Sequence, residues 1–292
     1  MKIMSNPLGE VFGFPVENQS DHANRYRRGR LCPYNNKVPN CTKDKAQDPL
    51  GVCSVINGST AVITCPIRFR EEWIIAENAA RFFFAEDQDW TSLTEIRLND
   101  AQGQSAGNID FVMVSYDDRG RLTDFGSLEV QGVYISGNLR NPFEEYMNNP
   151  SPTFSWDTRR NYPKPDYLSS SRKRLIPQML YKGGIFKHWG KKQAVALQKS
   201  FFDTLPDMPQ VDKEHADIAW YLYDLVLKDD RSKYDLRLVD TVYTEFEAAL
   251  LKVTNPLPGN IEGFRALLQN KLDEKLETPP DAPTLGDVLN QE

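Results

Sequence analysis

Apolar and polar positions change rhythm several times along the chain. Residues 71–85 (EEWIIAENAARFFFA) place apolar groups at Trp73, Ile74, Ala80 and Phe84 with more between, the density of a largely buried helix. Three segments then favour strands: 92–98, 109–116 and 124–135. The first two are separated by the Gly- and Asn-containing stretch 99–108, and the second pair by the turn formers Asp117-Asp118-Arg119-Gly120, so an antiparallel meander is expected. Residues 138–165, rich in Pro, Asn and aromatics and without clear period, read as a long loop. Residues 175–202 favour a helix, with Pro177 in its first turn and Gly183-Gly184 as a weak point or kink. Residues 217–227 (DIAWYLYDLVL) read as a further buried strand, and 239–253 and 261–276 as helices ahead of a Pro-containing acidic tail. Helix, three strands, helix, strand is the order of a mixed sheet flanked by helices, an α/β protein.

Residues 1–70 show little periodicity and many turn formers (Tyr34-Asn35-Asn36, Pro39-Asn40, Asn57-Gly58-Ser59), and read as an irregular region with a poor core of its own. All four cysteines of the chain, Cys32, Cys41, Cys53 and Cys65, lie in it. The N-terminus lacks the apolar run of a signal peptide and no stretch approaches eighteen apolar residues, so a cytoplasmic protein with no membrane partner is expected. In that reducing compartment four clustered cysteines favour metal ligation over disulfides, although their x8, x11, x11 spacing lacks paired C-x2-C knuckles. Four thiolates suit zinc or a single iron and leave no open position, so such a metal would be structural. The organisation expected is a cysteine-bearing metal region over 1–70 and a larger domain with a helical C-terminal part over 71–292.

Net charge is -6, but its distribution matters more than its sum. Residues 151–200 hold eleven Lys and Arg against two Asp and Glu, and residues 201–292 hold nine against nineteen. A basic block inside an acidic chain is the footprint of a phosphate-binding face, or else a solvated helix surface. Arg159, Arg160, Lys164, Arg172, Lys173, Arg174, Lys182, Lys187, Lys191 and Lys192 are its candidate contacts to double-stranded DNA, with Arg27 and Arg28 near the cysteines beside them. Gly183-Gly184 lacks the spacing of a P-loop, so no nucleotide cofactor is expected.

Two carboxylates offer chemistry. Asp110 lies near the start of the second strand of the meander and Glu129 inside the third, where alternation puts Glu129 and Gln131 on one face. If that face meets Asp110, two carboxylates and an amide converge as ligands for a hard cation such as Mg²⁺. Glu95, in the first strand, is a further carboxylate for that site or an exposed strand residue.

Asp110 followed by Glu129-Val130-Gln131 resembles the PD-(D/E)xK nuclease signature with Gln in place of the usual Lys. The NotI-type restriction endonucleases share that Gln within a stretch similar to Phe125-Gly126-Ser127-Leu128-Glu129-Val130-Gln131, and they carry four cysteines ahead of the core. The resemblance extends over Cys32-Pro33, Gly51-Val52-Cys53, Cys65-Pro66, the basic helix around Lys173-Arg174 to Tyr181-Lys182, and Ala219-Trp220-Tyr221, about residues 30–225. It implies a PD-(D/E)xK core, a type II restriction endonuclease of a restriction-modification system, Asp110 and Glu129 as Mg²⁺ ligands, Gln131 where relatives hold lysine, iron at the cysteines, and a homodimer cutting a short palindromic site. The alternatives are a non-catalytic DNA-binding protein with a structural cysteine-held metal, and one subunit of a heterodimeric or nicking endonuclease.

Overall fold

The computed structural model describes residues 4–35, 37–45, 47–157, 161–255 and 258–277. Residues 1–254 and 255–292 form separate units. In the first unit, β1 (Leu8–Val11), β2 (Phe14–Pro15), β3 (Val52–Asn57) and β4 (Thr60–Ile63) make an antiparallel sheet in the order β2-β1-β3-β4. The expectation of an irregular N-terminal region is therefore corrected. Gly58-Ser59 is the turn of the β3–β4 hairpin, closed by the Asn57↔Thr60 pair, with Gly58 at a φ of 62° that suits glycine. The flanking runs VCSVIN and TAVI are short, and mostly buried on both faces, so they show no alternation.

Six strands form the main sheet: β5 (Trp90–Asn99), β6 (Ser105–Tyr116), β7 (Leu122–Gln131), β8 (Gln193–Gln198), β9 (Ile218–Leu227) and β10 (Tyr234–Thr244), in the order β10-β9-β8-β7-β6-β5. β5, β6 and β7 are the expected antiparallel meander. The parallel partners β7–β8 and β8–β9 make the sheet mixed, and β10 closes it antiparallel to β9. Two of these strands depart from the helices expected at 175–202 and 239–253. β8 (QAVALQ) is buried at all six positions and so carries no strand alternation to tell it from helix. The second helix is displaced to Phe246–Thr254 by β10, whose run ends at Thr244.

The sheet is covered on both faces. Leu128, Val130, Phe111, Met113, Ala194, Ala196, Ala219 and Tyr221 pack with Ala76, Ala79 and Ala80 of helix Ile74–Phe83. This helix starts later than expected, after a 3-10 turn, Pro66–Trp73, whose Glu72 and Trp73 have positive φ. Val195, Leu197, Trp220, Leu222 and Val242 point to the other face and meet Leu8, Val11, Val55 and Val62 of the N-terminal sheet. The buried Arg68 fixes that junction: it donates to Glu10 at 2.9 Å, to Glu71 at 3.0 Å and to the Tyr234 carbonyl at 2.9 Å.

The β7–β8 crossover contains helix Arg140–Asn148, inside the stretch expected to be loop, and a helical run over 167–188. Two π turns, Ser171–Leu175 and Met179–Gly183, widen that run. Gly183-Gly184 does not break it, since both have ordinary helical φ and ψ. Gly183 permits close packing: a Cβ there would stand 2.6 Å from the Phe246 ring and 3.0 Å from Gln193. In the second unit the helix Ile261–Glu277 matches the expected 261–276; its Ile261, Phe264, Leu268 and Leu272 are exposed.

Candidate active site

Alternation along β7 decides which side chains can do chemistry. Leu128 and Val130 enter the core beneath helix Ile74–Phe83, which turns Glu129 and Gln131 to the opposite face. In β6, Phe111 and Met113 enter that same core, so Asp110 faces the side of Glu129. The last β6–β7 pair is Leu128↔Phe111. One step further the backbone ladder is replaced by a side chain: the Val130 N–H donates to Asp110 Oδ2 at 2.9 Å. From there β6 continues beside β5 and β7 beside β8, so the two strands part with a carboxylate at the fork.

Glu129 is 9% exposed and Gln131 7% exposed. The Glu129 and Asp110 carboxyl groups meet within hydrogen-bonding range; burial, and then the neighbouring Asp110, raise the Glu129 pKa to about 8, while Lys182 opposes the rise. Lys182, 5% exposed, donates to Glu129 Oε1 and Oε2 at 2.8 Å each and to the Asn108 carbonyl at 2.6 Å. The Gln131 amide turns back to donate to the Gly132 carbonyl at 2.6 Å. A buried pair of converging carboxylates is a donor set that fits a hard divalent cation, whose charge would relieve their repulsion.

The sequence puts Glu129 and Gln131 on one face and leaves their meeting with Asp110 conditional; the fold brings Asp110 and Glu129 together, with Gln131 two residues further along β7. Glu95 is elsewhere: its side chain is 70% exposed, 4.0 Å from Lys37 Nζ, at a residue with φ 58°. Lys182 was expected to face DNA and is instead inside. The signal for this was present in the chain: Leu175, Met179, Lys182 and Phe186 follow helical spacing, and all four are buried.

The other basic candidates divide by accessibility. Arg172, Lys173 and Arg174 are exposed on the first π turn, and Arg28 and Lys164 are exposed as well. Arg27 is 2% exposed and spends its guanidinium on the carbonyls of Asn18 and Pro15 and on Asn24, which removes it from any phosphate-facing set. Lys187 and Lys191 are paired with Asp217 at 2.7 Å and Asp124 at 2.6 Å, and Lys192 lies over the Phe82 ring. Arg159 and Arg160 lie outside the described residues.

Cys32, Cys41, Cys53 and Cys65 are free thiols that line one cavity of about 10 Å³, the space of about one water-sized body. Backbone hydrogen bonds knit their loops, Cys32 N to Pro39 O, Cys41 N to Arg30 O and Cys65 N to Cys53 O. Burial pushes the Cys32 thiol up to about 11 and raises Cys53 as well. Their chemistry and cavity suit one soft metal ion. Among the described residues, however, no group of three or more His, Cys, Asp or Glu is arranged to hold a metal, so the arrangement of these thiols gives the expected four-sulfur site no support of its own.

Among the described residues no helix is long and apolar enough to cross a membrane. Comparison with curated proteins returned no match. Residues 11–236 match the family described as Restriction endonuclease NotI, a span that takes in β2, β3 and β4 of the N-terminal sheet, the cysteines, the carboxylate fork and most of the main sheet. With more than three quarters of its length inside that match, the chain belongs to the NotI restriction endonuclease family.

Proposed function

We propose that this chain is a type II restriction endonuclease with a PD-(D/E)xK core, hydrolysing phosphodiester bonds of double-stranded DNA at a short palindromic site as a homodimer. The observation that carries the reading is the meeting of Asp110 and Glu129 where β6 and β7 part, on strands inside the family match. Those two carboxylates would hold Mg²⁺, which supplies charge for the attacked phosphate and makes a bound water more acidic. The Gln131 amide is neutral; released from the Gly132 carbonyl, it orients the attacking water. Arg172, Lys173 and Arg174 hold phosphates on the duplex, and a two-fold protein matches a palindrome.

The same reading gives residues 1–70 an iron or zinc on the four cysteines. Its support is the cavity they share and the absence of disulfides among them. One metal atom per chain in purified protein, lost when Cys53 and Cys65 are replaced by serine, is the expected result. Metal-free protein that melts at the same temperature as the metal-treated sample would refute it.

The catalytic reading is tested by incubating the protein and its Glu129→Ala variant with a large, fully sequenced DNA, with Mg²⁺ and with EDTA, and mapping every cut end. Discrete Mg²⁺-dependent fragments from the parent alone are expected. Intact DNA with salt-sensitive binding would make it a non-catalytic binding protein, and nicked circles in place of linear product would make it a strand-specific nicking enzyme.

A further inference from the structure

The cleavage site proposed above lacks a cation at Gln131, and the geometry points to Lys182 as the ammonium group that supplies it, acting from the helix in place of the strand. This rests on the nuclease reading of Asp110 and Glu129. Lys182 Nζ has three N–H groups and three acceptors, both Glu129 carboxylate oxygens and the Asn108 carbonyl. Asn108 lies in β6, two residues before Asp110, and Glu129 in β7, so the ammonium sits across the fork where the two strands part. Its helix carries it there on an otherwise apolar stripe, through the π turn Met179–Gly183.

A buried ammonium is costly unless something requires it. The fold already shows what a structural cation looks like here: Arg68 binds Glu10, Glu71 and the Tyr234 carbonyl and joins the N-terminal sheet to β10. Lys182 spends its bonds on the carboxylate pair and the strand beside it. Two carboxylates with one lysine leave net negative charge for a divalent cation. An N–H turned from Glu129 or Asn108 toward the duplex would meet a non-bridging phosphate oxygen, where negative charge builds.

In the hydrolysis, the oxygen of water bonds to phosphorus and the bond from phosphorus to one ester oxygen breaks. Water gives its proton to solvent, and the departing oxygen takes one from solvent. Lys182 keeps its own proton throughout and contributes charge alone.

The test uses the full chain, a duplex carrying a mapped cut site, and Lys182→Gln, Gln131→Lys/Lys182→Gln and Glu129→Ala proteins. Lys182→Gln is expected to slow single-turnover cleavage at saturating protein by about 100-fold. Its DNA affinity in EDTA should stay within about threefold of the parent, with an unchanged salt slope. Moving the ammonium to β7 in the double variant should recover at least about tenfold of the lost rate. A surface phosphate clamp would do the reverse, lowering affinity and salt slope while sparing the saturated rate, and that result overturns the inference. Should Lys182→Gln fail to fold, judged by melting and DNA binding, the double variant decides. Cleavage by a refolded double variant supports the assignment, and folding with DNA binding but no cleavage overturns it. Unimpaired cutting by Glu129→Ala would instead sink the nuclease reading itself.

Discussion

On the proposed reading, a proton on Glu129 and a divalent cation would compete for the same oxygens. Burial, reinforced by Asp110 and opposed by Lys182, raises this carboxyl from 4.5 to about 8. Because the folded state holds the proton more tightly than the unfolded chain, the group's stabilising contribution is fully present below pH 4.5 and is lost as pH rises through about 8. Metal binding runs the other way, since the proton must leave first. At limiting Mg²⁺, single-turnover cleavage should climb by up to about tenfold per pH unit below the midpoint and flatten above it, and more Mg²⁺ should move the midpoint to lower pH. A flat profile between about pH 6 and 9 would contradict this. At this scale the sequence was legible where side chains follow a strict period of two. Asp110, Glu129 and Gln131 face together because Phe111, Leu128 and Val130 fill the core behind them. Arg27 and Lys182 were misjudged for the opposite reason: charge suggested exposure, while each has enough backbone or carboxylate acceptors to be held inside.

Among the elements, the helical run over 167–188 carries the most information about how the site is assembled. Its two adjacent glycines have opposite surroundings. A methyl group at Gly183 meets Phe246 and Gln193, whereas nothing lies within 4 Å of one at Gly184. Gly183→Ala should cost about 1–3 kcal/mol through forced repacking, while Gly184→Ala should stabilise by about 0.5–1 kcal/mol, because both residues are helical and only the second has space. Paired denaturant curves measure this, and equal effects of one sign would refute the packing. The dipeptide alone predicts a weak helix, since sequence does not reveal which glycine is an accommodation to a neighbour. β8 was illegible for a related reason: its Val195 and Leu197 are buried with the N-terminal sheet on one face and its Ala194 and Ala196 with the alanines of helix Ile74–Phe83 on the other, which leaves only an apolar run. The meander was readable because Asp117 accepts from the N–H groups of Arg119 and Arg121, as turn sequences with Asp and Gly lead one to expect.

For residues 1–254, folding depends on joining the cysteine-bearing sheet to the main sheet through shared core and one buried ionic network. Arg68 is fully buried, as is Glu10. Arg68→Met would leave the buried Glu10 without its cation and Glu71 with Lys233 alone, 3.5 Å away, and should destabilise by about 3–5 kcal/mol, measured by urea unfolding. A loss below about 1 kcal/mol would show the network to be dispensable. The N-terminal sheet went unread because its core is completed by Leu197 and Trp220, far along the chain. DNA binding belongs to this scale too: replacing Arg172, Lys173 and Arg174 together should reduce the slope of log affinity against log salt by about 3 if each meets a phosphate, and an unchanged slope would place the DNA elsewhere.

The central claim is that the Asp110–Glu129 pair cleaves and does not merely hold the fold. Asp110→Asn and Glu129→Gln keep shape while removing charge, so binding and cutting of one mapped duplex should separate. The account predicts DNA affinity in EDTA within about threefold of the parent and Mg²⁺-dependent cleavage reduced by about 1,000-fold or more in both variants. Cleavage that persists at parental rate in either variant would contradict it.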